Sequence, residues 1–230
     1  MIIFFESALE LIPESLRKHP LIRKKWQKSL KKKNRGILLD GAEHRPLLEC
    51  LEDVEKRGRP DIIHHSLINI VYSSLFREEK IQVIVHTRNN LCIKIPSHWR
   101  LPVNYNRFCG LFSQLLLKQR VPLTGDPILI AKIQTLSKLL QQFETSDIYL
   151  CDVPTNRTKD LINISNLTEI PKSSSKIFLI GGFQSGEAEL NTLDSESSIQ
   201  NIFLLTLYDE VKPAWVIAAK LIHWFEIYGL

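Results

Sequence analysis

The sequence lacks the residue patterns that would commit it to a metal, redox or membrane role. Its 230 residues include four cysteines, Cys50, Cys92, Cys109 and Cys151. None forms a C-x-x-C pair, so zinc and dithiol chemistry lack their usual spacing. Each lies among apolar neighbours, the pattern of buried free thiols in a reducing compartment. No apolar run approaches the ~18 residues of a membrane span, because Lys220 and Glu226 interrupt the C-terminal candidate. The opening Met-Ile-Ile-Phe-Phe run is too short and uncharged for a signal peptide. The N-x-[ST] sequons at Asn156, Asn163 and Asn166 are then chance matches. A soluble, cytoplasmic protein is expected.

Familiar catalytic signatures are also absent. The seven histidines give no H-E-x-x-H, and the adjacent His64 and His65 would point to different faces, so no metal site is expected. There is no G-x-S-x-G elbow and no cysteine-protease pattern. Gly181, Gly182 and Gly186 are spaced G-G-x-x-x-G, which is neither the dinucleotide fingerprint nor a P-loop. Taken alone they fit a plain tight turn as well as a ligand loop. Acid is missing between Ser15 and Leu39, where Arg17, Lys18, Arg23, Lys24, Lys25, Lys28, Lys31, Lys32, Lys33 and Arg35 all fall. Ile22, Trp26 and Leu30 give that segment one apolar stripe, so it reads as a basic helix. Its charges form either a solvated face or a phosphate-binding surface.

What is present is ordinary core material, 44% hydrophobic with a net charge of +5. Ile2 to Phe5 reads as a buried strand, and Leu9, Ile12 and Leu16 predict a helical stretch from Ser7 that Pro13 would kink. Gly36 to Asp40 predicts a strand, and Pro46 opens a helix with Leu47, Leu48, Leu51 and Val54 inward and Gly58 at its end. Ile81 to Thr87 and Leu91 to Ile95, joined by Arg88-Asn89-Asn90, predict a hairpin. Helices are expected over Phe108 to Gln119 and over Leu129 to Phe143, with a strand from Asp147 to Val153. Lys176 to Ile180 and Ile202 to Tyr208 are apolar strands that run into permissive loops, the second followed by a helix opening at Pro213. Alternating strands and helices argue for an α/β domain around a mainly parallel sheet, with 81–95 as a β-hairpin insertion. Ligands of such sheets bind at the carboxyl ends of the strands.

Two groups of residues fit nucleic-acid chemistry. Arg57-Gly-Arg59-Pro-Asp61 sets two guanidiniums beside a stiff turn, suited to phosphate or planar-base recognition, although a surface ion pair gives the same sequence. Arg100 and Arg107 flank a loop with Tyr105 and Phe108 beside it, and arginines among aromatics hold RNA phosphates and stack unpaired bases.

Four stretches together, Glu6-Ser-Ala-Leu-Glu-Leu-Ile-Pro13, Arg59-Pro-Asp-Ile-Ile-His-His-Ser-Leu67, Arg100-Leu-Pro-Val-Asn-Tyr-Asn-Arg-Phe-Cys-Gly-Leu111 and Leu179-Ile-Gly-Gly-Phe-Gln-Ser-Gly186, resemble a known family in residues and order. It is the nucleolar essential protein family of small-subunit ribosomal RNA pseudouridine N1-methyltransferases, in its archaeal form, and the resemblance covers nearly the whole chain. It implies a single SPOUT-class domain over 1–230, whose C-terminal part, 176–230, forms a trefoil knot that binds S-adenosylmethionine. It implies cofactor contacts from Gly181 and Gly186, from Leu205, Thr206, Leu207 and Tyr208 with Val211 and Lys212, and from Tyr149 or Leu150. It implies an RNA site in which Arg59 contacts the substrate, Asp61 holds Arg59 in place, and Arg100 and Arg107 meet phosphates, with Arg57 adjacent. The family usually carries a further arginine where this chain has Val103, a lost contact for which Arg88 or the basic helix would compensate. Asp61 could instead be the general base. A homodimer is implied, and neither a membrane nor a metal is. The competing readings are a non-catalytic RNA-binding ribosome-assembly factor of the same fold, and a SPOUT methyltransferase with another RNA target.

Overall fold

The computed structural model describes residues 1–31, 36–143, 145–171, 175–188 and 201–229. Lys32, Lys33 and Arg35, the side chains of Lys25, Lys28, Leu30 and Lys31, and the link at 189–200 lie outside the described residues.

The chain-order elements are β1 (Ile2–Ser7), α1 (Pro20–Lys31), α2 (Gly41–Leu48), α3 (Pro60–Val71), α4 (Ser74–Arg77), β2 (Val83–Thr87), β3 (Leu91–Ile95), α5 (Tyr105–Lys118), β4 (Arg120–Val121), β5 (Leu129–Ile133), α6 (Leu136–Leu140), β6 (Asp147–Cys151), β7 (Ile162–Ile164), β8 (Lys176–Gly181), β9 (Ile202–Leu205) and α7 (Ala214–Tyr228). The strands form one sheet in the order β4-β5-β3-β2-β1-β8-β6-β9-β7. From β2 through β1, β8, β6 and β9 to β7 every pairing is parallel, while β3, β5 and β4 continue it antiparallel. The expected hairpin is thus part of the main sheet, joined to it through β2 against β1.

Central strands are continuous apolar runs because both of their faces are covered. Successive residues of β1 divide between two cores, with Ile2 and Phe4 on one face and Ile3 and Phe5 on the other. Phe178 and Ile180 against Ile177 and Leu179 repeat the pattern in β8, as Tyr149 and Cys151 against Ile148 and Leu150 do in β6. Residues from α3, α5 and α7 complete the first core, and residues from α6 lie in the second. A separate small cluster, Ile12, Ile22, Ile37, Leu39, Leu47 and Leu48, gathers α1 and α2 beside the main body.

Three local expectations fail, the first two for tertiary reasons. Leu9 to Pro13 is extended rather than helical; Leu11 bridges Leu38, with Ile12 N–H on Ile37 O and Leu39 N–H on Glu10 O, both at 2.9 Å. That pairing buries Leu9 and Ile12 without a helix. Leu129 to Ile133 is a strand, because Leu129 and Ala131 face the core while Ile130, Lys132 and Ile133 face out. The short α6 follows, started by Thr135, whose hydroxyl accepts from Lys138 N–H, and then a single 3₁₀ turn at Gln141–Phe143. The helix expected to open at Pro46 and end at Gly58 instead begins at Gly41, capped by Asp40, and has Pro46 inside it. Asp53 then turns left-handed before a single 3₁₀ turn at Val54–Lys56, and Val54 is exposed.

Two packing constraints generate measurable consequences. Gly182 N–H donates to Phe5 O and Gly182 O accepts from Ala8 N–H, both at 2.8 Å. A Cβ there would sit 2.4 Å from Ser7 Oγ and 2.7 Å from Ser7 Cα. Gly182→Ala is expected to destabilise the fold by about 2 kcal/mol, as overpacking does, read as a lower urea midpoint at unchanged slope. The second constraint is electrostatic. Arg57 forks Glu10, with Nε to Oε1 at 2.8 Å and Nη2 to Oε2 at 2.6 Å, and the Glu10 side chain is only 2% exposed. Arg57→Ala would leave that carboxylate only the more distant Arg88 guanidinium, at 3.9 Å, and is expected to cost about 2 kcal/mol in the same measurement, less than a fully uncompensated buried charge.

Candidate functional site

The parallel strands end along one edge of the sheet. Phe5 pairs with Gly181, and Cys151 with both Ile180 and Leu205, so the chain leaves β1, β8, β6 and β9 at neighbouring positions. Together with the start of α3, these strand ends and the segments after them enclose a cavity of about 480 Å³. Its wall is apolar where Phe5, Leu150, Ile180, Phe183 and Trp215 meet it, and polar where Asp152, Gln184, Ser185, Lys212 and Arg59 do. A smaller recess of about 30 Å³, lined by Leu205, Leu207 and Tyr208, adjoins it and shares Cys151, Asp152, Val211, Lys212 and Ile217 with it.

The residues expected to hold a cofactor divide accordingly. Leu150, Gly181, Gly186, Val211 and Lys212 line the cavity, and Leu205, Leu207 and Tyr208 line the recess. Tyr149 does not reach it. Its ring is fully buried between Phe178 and Phe203, at centroid distances of 5.3 and 5.4 Å. Alternation along β6 therefore gives the cavity Leu150 and the core Tyr149. Thr206 is turned toward β7, with N–H on Ile164 O and Oγ1 on Asn163 Oδ1. Gly186 holds φ at +99°, which glycine adopts without strain, and its missing Cβ leaves room for Glu55 and Lys56. Lys220 fixes the second loop by donating to Leu207 O at 2.7 Å while its ammonium lies 4.0 Å from the Tyr208 ring centre.

Sequence reasoning missed Phe5, Phe183, Gln184, Trp215 and Asp152 as lining residues. Asp152 directly follows β6, so the general rule that ligands bind at the carboxyl ends of parallel strands is the signal that could have found it. Burial raises its carboxyl above the ordinary range, with Glu187 adding to the effect, and no cation pairs with it among the described residues. Burial also pushes the neighbouring Cys151 thiol up, which leaves it a poor nucleophile.

Arg59 sits at the N-cap of α3, followed by Pro60 at the first helical position. Its Nε and Nη2 donate to Asp61 Oδ1 and Oδ2, each at 2.8 Å, and its Nη1 donates to Gln184 Oε1 at 2.5 Å. Burial alone would raise Asp61, but the Arg59 hydrogen bonds and charge outweigh it and hold the carboxyl below its usual range. The same hydrogen bonds raise Arg59 further. Asp61 is therefore a locked anion and a weak base.

The other arginines differ in accessibility. Arg57 is 12% exposed and engaged by Glu10. Arg88 pairs with Asp53 at 3.1 Å. Arg100 and Arg107 are exposed, and among the described residues neither side chain has an ion-pair partner. Val103, in the loop between them, is 63% exposed. Their loop rides on α3, since His64 Nε2 meets Pro102 O at 2.9 Å and Tyr72 OH donates to Leu101 O at 3.1 Å. Asn104 Oδ1 then caps α5 by accepting from Arg107 N–H. Burial lowers His64, so it stays neutral against Tyr105 and Phe108. Lys18, just before α1, and Arg23 and Lys24 on it are exposed, and the Arg17 guanidinium lies 4.5 Å from the ring centre of Trp26 on α1. Among the described residues no metal-binding group of His, Cys, Asp and Glu occurs, and no helix is long and apolar enough to cross a membrane.

The profile of the EMG1/NEP1 methyltransferase family matches residues 2–226. The ribosomal RNA small subunit methyltransferase Nep1 of Pyrococcus furiosus is 34% identical over 226 residues, 98% of this chain and 95% of that protein. Nep1 of Staphylothermus marinus is 33% identical over 222 residues, 96% of this chain and 92% of that protein. The crystal structure of Archaeoglobus fulgidus Nep1 bound to S-adenosylhomocysteine superposes with a TM-score of 0.78 at 28% identity, covering 98% of this chain and 96% of that one. With agreement in sequence and fold along almost its whole length, the chain belongs to the EMG1/NEP1 methyltransferase family.

Proposed function

We propose that this chain transfers a methyl group from S-adenosylmethionine to N1 of a pseudouridine in small-subunit ribosomal RNA. The observation that carries this reading is an arginine forked by a carboxylate on the wall of a cavity at the carboxyl edge of a parallel sheet. The cavity volume falls within the range of small-ligand sites, and its mixed lining suits a molecule with an aromatic base, a ribose and charged ends. When bound there, S-adenosylmethionine would supply the electrophilic methyl group. Leu150, Gly181, Gly186, Val211 and Lys212 would hold it, with Leu205, Leu207 and Tyr208 at its margin. Asp152 is the anionic group available to a cationic end of it.

The protein's part of the chemistry is positioning and charge stabilisation. A base reaching this cavity must leave its stack, and unpaired RNA loops offer such bases. N1 of the pyrimidine must lose a proton as it becomes the nucleophile, leaving negative charge on the ring. Arg59 has five N–H donors, of which Asp61 and Gln184 take three, so Nη1 and Nη2 each retain one for that charge. Asp61, held below its usual range, suits the role of orienting Arg59 better than that of accepting the proton. Exposed Arg100 and Arg107 would grip phosphates, whereas Arg57 is committed to Glu10.

The same reading extends to the assembly. We infer one SPOUT domain over the whole chain, with 176–230 as its knotted part, acting as a cytoplasmic homodimer. Adjacency of β8, β6 and β9 out of sequence order supports the first, and four free thiols support a reducing compartment.

Labelled methyl transfer to a small-subunit rRNA hairpin carrying pseudouridine or uridine at one position tests the function. Transfer to pseudouridine alone is expected. Equal transfer to uridine would refute the pseudouridine assignment, and tight RNA binding without transfer would favour the assembly-factor reading. Arg107→Ala is expected to weaken hairpin binding and to flatten its log–log salt dependence by about 0.7–0.9 per lost phosphate contact, with S-adenosylhomocysteine affinity within about twofold. Arg59→Ala should abolish most transfer. Acid unfolding reads the fork itself. A depressed Asp61 pKa contributes stability that is complete above the unfolded value of about 4 and is lost as pH falls through the folded one. Asp61→Asn should therefore show a shallower loss of stability below about pH 4 than the unaltered chain.

A further inference from the structure

Arg59 is held from two sides. Asp61, two residues on, fixes one edge of the guanidinium, and Gln184 fixes Nη1 from the loop that follows β8. Gln184 is 125 positions from Arg59 in sequence and belongs to the wall of the cavity. The loop that carries it is anchored at its ends. Gly182 exchanges two backbone hydrogen bonds with the β1 segment, and Gly186 lies against Glu55 and Lys56. Between these anchors, the Ser185 N–H donates to Glu55 O at 3.4 Å, and Phe183 packs edge-on against Phe5 with ring centres 6.2 Å apart. Phe183, Gln184 and Ser185 all face the cavity, so whatever fills the cavity packs directly on the middle of this loop.

We propose that Gln184 is a positioning residue that couples the two ligands: a cofactor seated in the cavity fixes the loop and, through Gln184 Oε1, holds Arg59 in the orientation that receives RNA. This inference rests on the function proposed above. Asp61 alone leaves the Nη1 corner of Arg59 without a fixed partner. The Gln184 hydrogen bond is exposed, so its persistence depends on how firmly the loop is held rather than on burial. Cofactor and RNA then favour the same arrangement of one element, and linkage requires each to tighten the other by the same factor. For a single exposed charge-assisted hydrogen bond that factor is expected near the low end of the usual range, about fivefold.

The test measures the coupling ratio rather than either affinity. A fluorescent small-subunit rRNA hairpin is titrated by anisotropy with and without saturating S-adenosylhomocysteine, and S-adenosylhomocysteine by calorimetry with and without hairpin. The unaltered chain should show about fivefold mutual tightening in both directions. Gln184→Ala should bring the ratio close to one. Gln184→Glu, which keeps an acceptor at the same reach, should retain the coupling even if the added charge weakens RNA binding overall. A merely structural role would lower an affinity without changing the ratio. An Ala variant that keeps the full ratio, or an unaltered chain with a ratio of one while both ligands bind, would overturn this inference alone. Failure of the unaltered chain to bind S-adenosylhomocysteine or the hairpin would overturn the proposed function, and this inference with it.

Discussion

The parallel pairing of β1 with β8 is the constraint from which the rest of the site follows. Both strands are buried on both faces, so a shift of one residue would move every side chain to the opposite core. The pairing runs from Ile2 opposite Phe178 to Phe5 opposite Gly181 and closes with Gly182 bonded to Phe5 and Ala8. Only a residue without Cβ fits beside Ser7 at that point. The backbone is thereby turned out of the sheet at a fixed place, and the loop bearing Gln184 starts beside the residues that lead back to Glu10.

Electrostatics then sorts the arginines by what lies within reach. Glu10 is buried at the end of the same β1 segment and engages Arg57 in a two-point fork. Arg59, two residues later, points the other way and finds Asp61 and Gln184 at the cavity wall. One guanidinium ties the N-terminal cluster to the body of the protein, and its near neighbour is free to meet a ligand. The basic character of the motif does not distinguish them; burial of the partner carboxylate does.

Much of this was legible in the sequence where the determining contacts are local or repeated. β1, β8, β9 and the hairpin follow from unbroken or alternating apolar runs, while the Arg59–Asp61 fork was implied by the family resemblance, since the residues alone fitted a stiff turn or a surface ion pair equally well. Several failures share a cause, a distant partner that overrides a local pattern. Leu9 to Pro13 matches helix spacing yet pairs with 37–39, and Leu129 to Phe143 carries a helical stripe yet gives its first five residues to β3. Arg57 looked like a nucleic-acid residue because its partner lies 47 positions earlier. Gln184 carried no signal at all, since an amide in a glycine loop acquires meaning only from the arginine opposite.

The start of α3 brings these features together. Pro60 begins the helix and leaves Arg59 at its N-cap with non-helical backbone angles, φ −126° and ψ 61°, and its side chain on the cavity wall. One turn further His64, and at the C-cap Tyr72, hold the Arg100–Arg107 loop, and Asn69 in the last turn donates to Trp215 O on α7, itself a cavity residue. A single helix therefore carries the residue proposed to face the reacting ring, the loop proposed to grip phosphates, and a contact to the far wall of the cofactor cavity. In-line methyl transfer depends chiefly on the relative placement of two ligands. Tying the proposed RNA contacts and one wall of the cavity to the same helix restrains that placement. Asp61 and Gln184 restrain the Arg59 side chain from opposite edges.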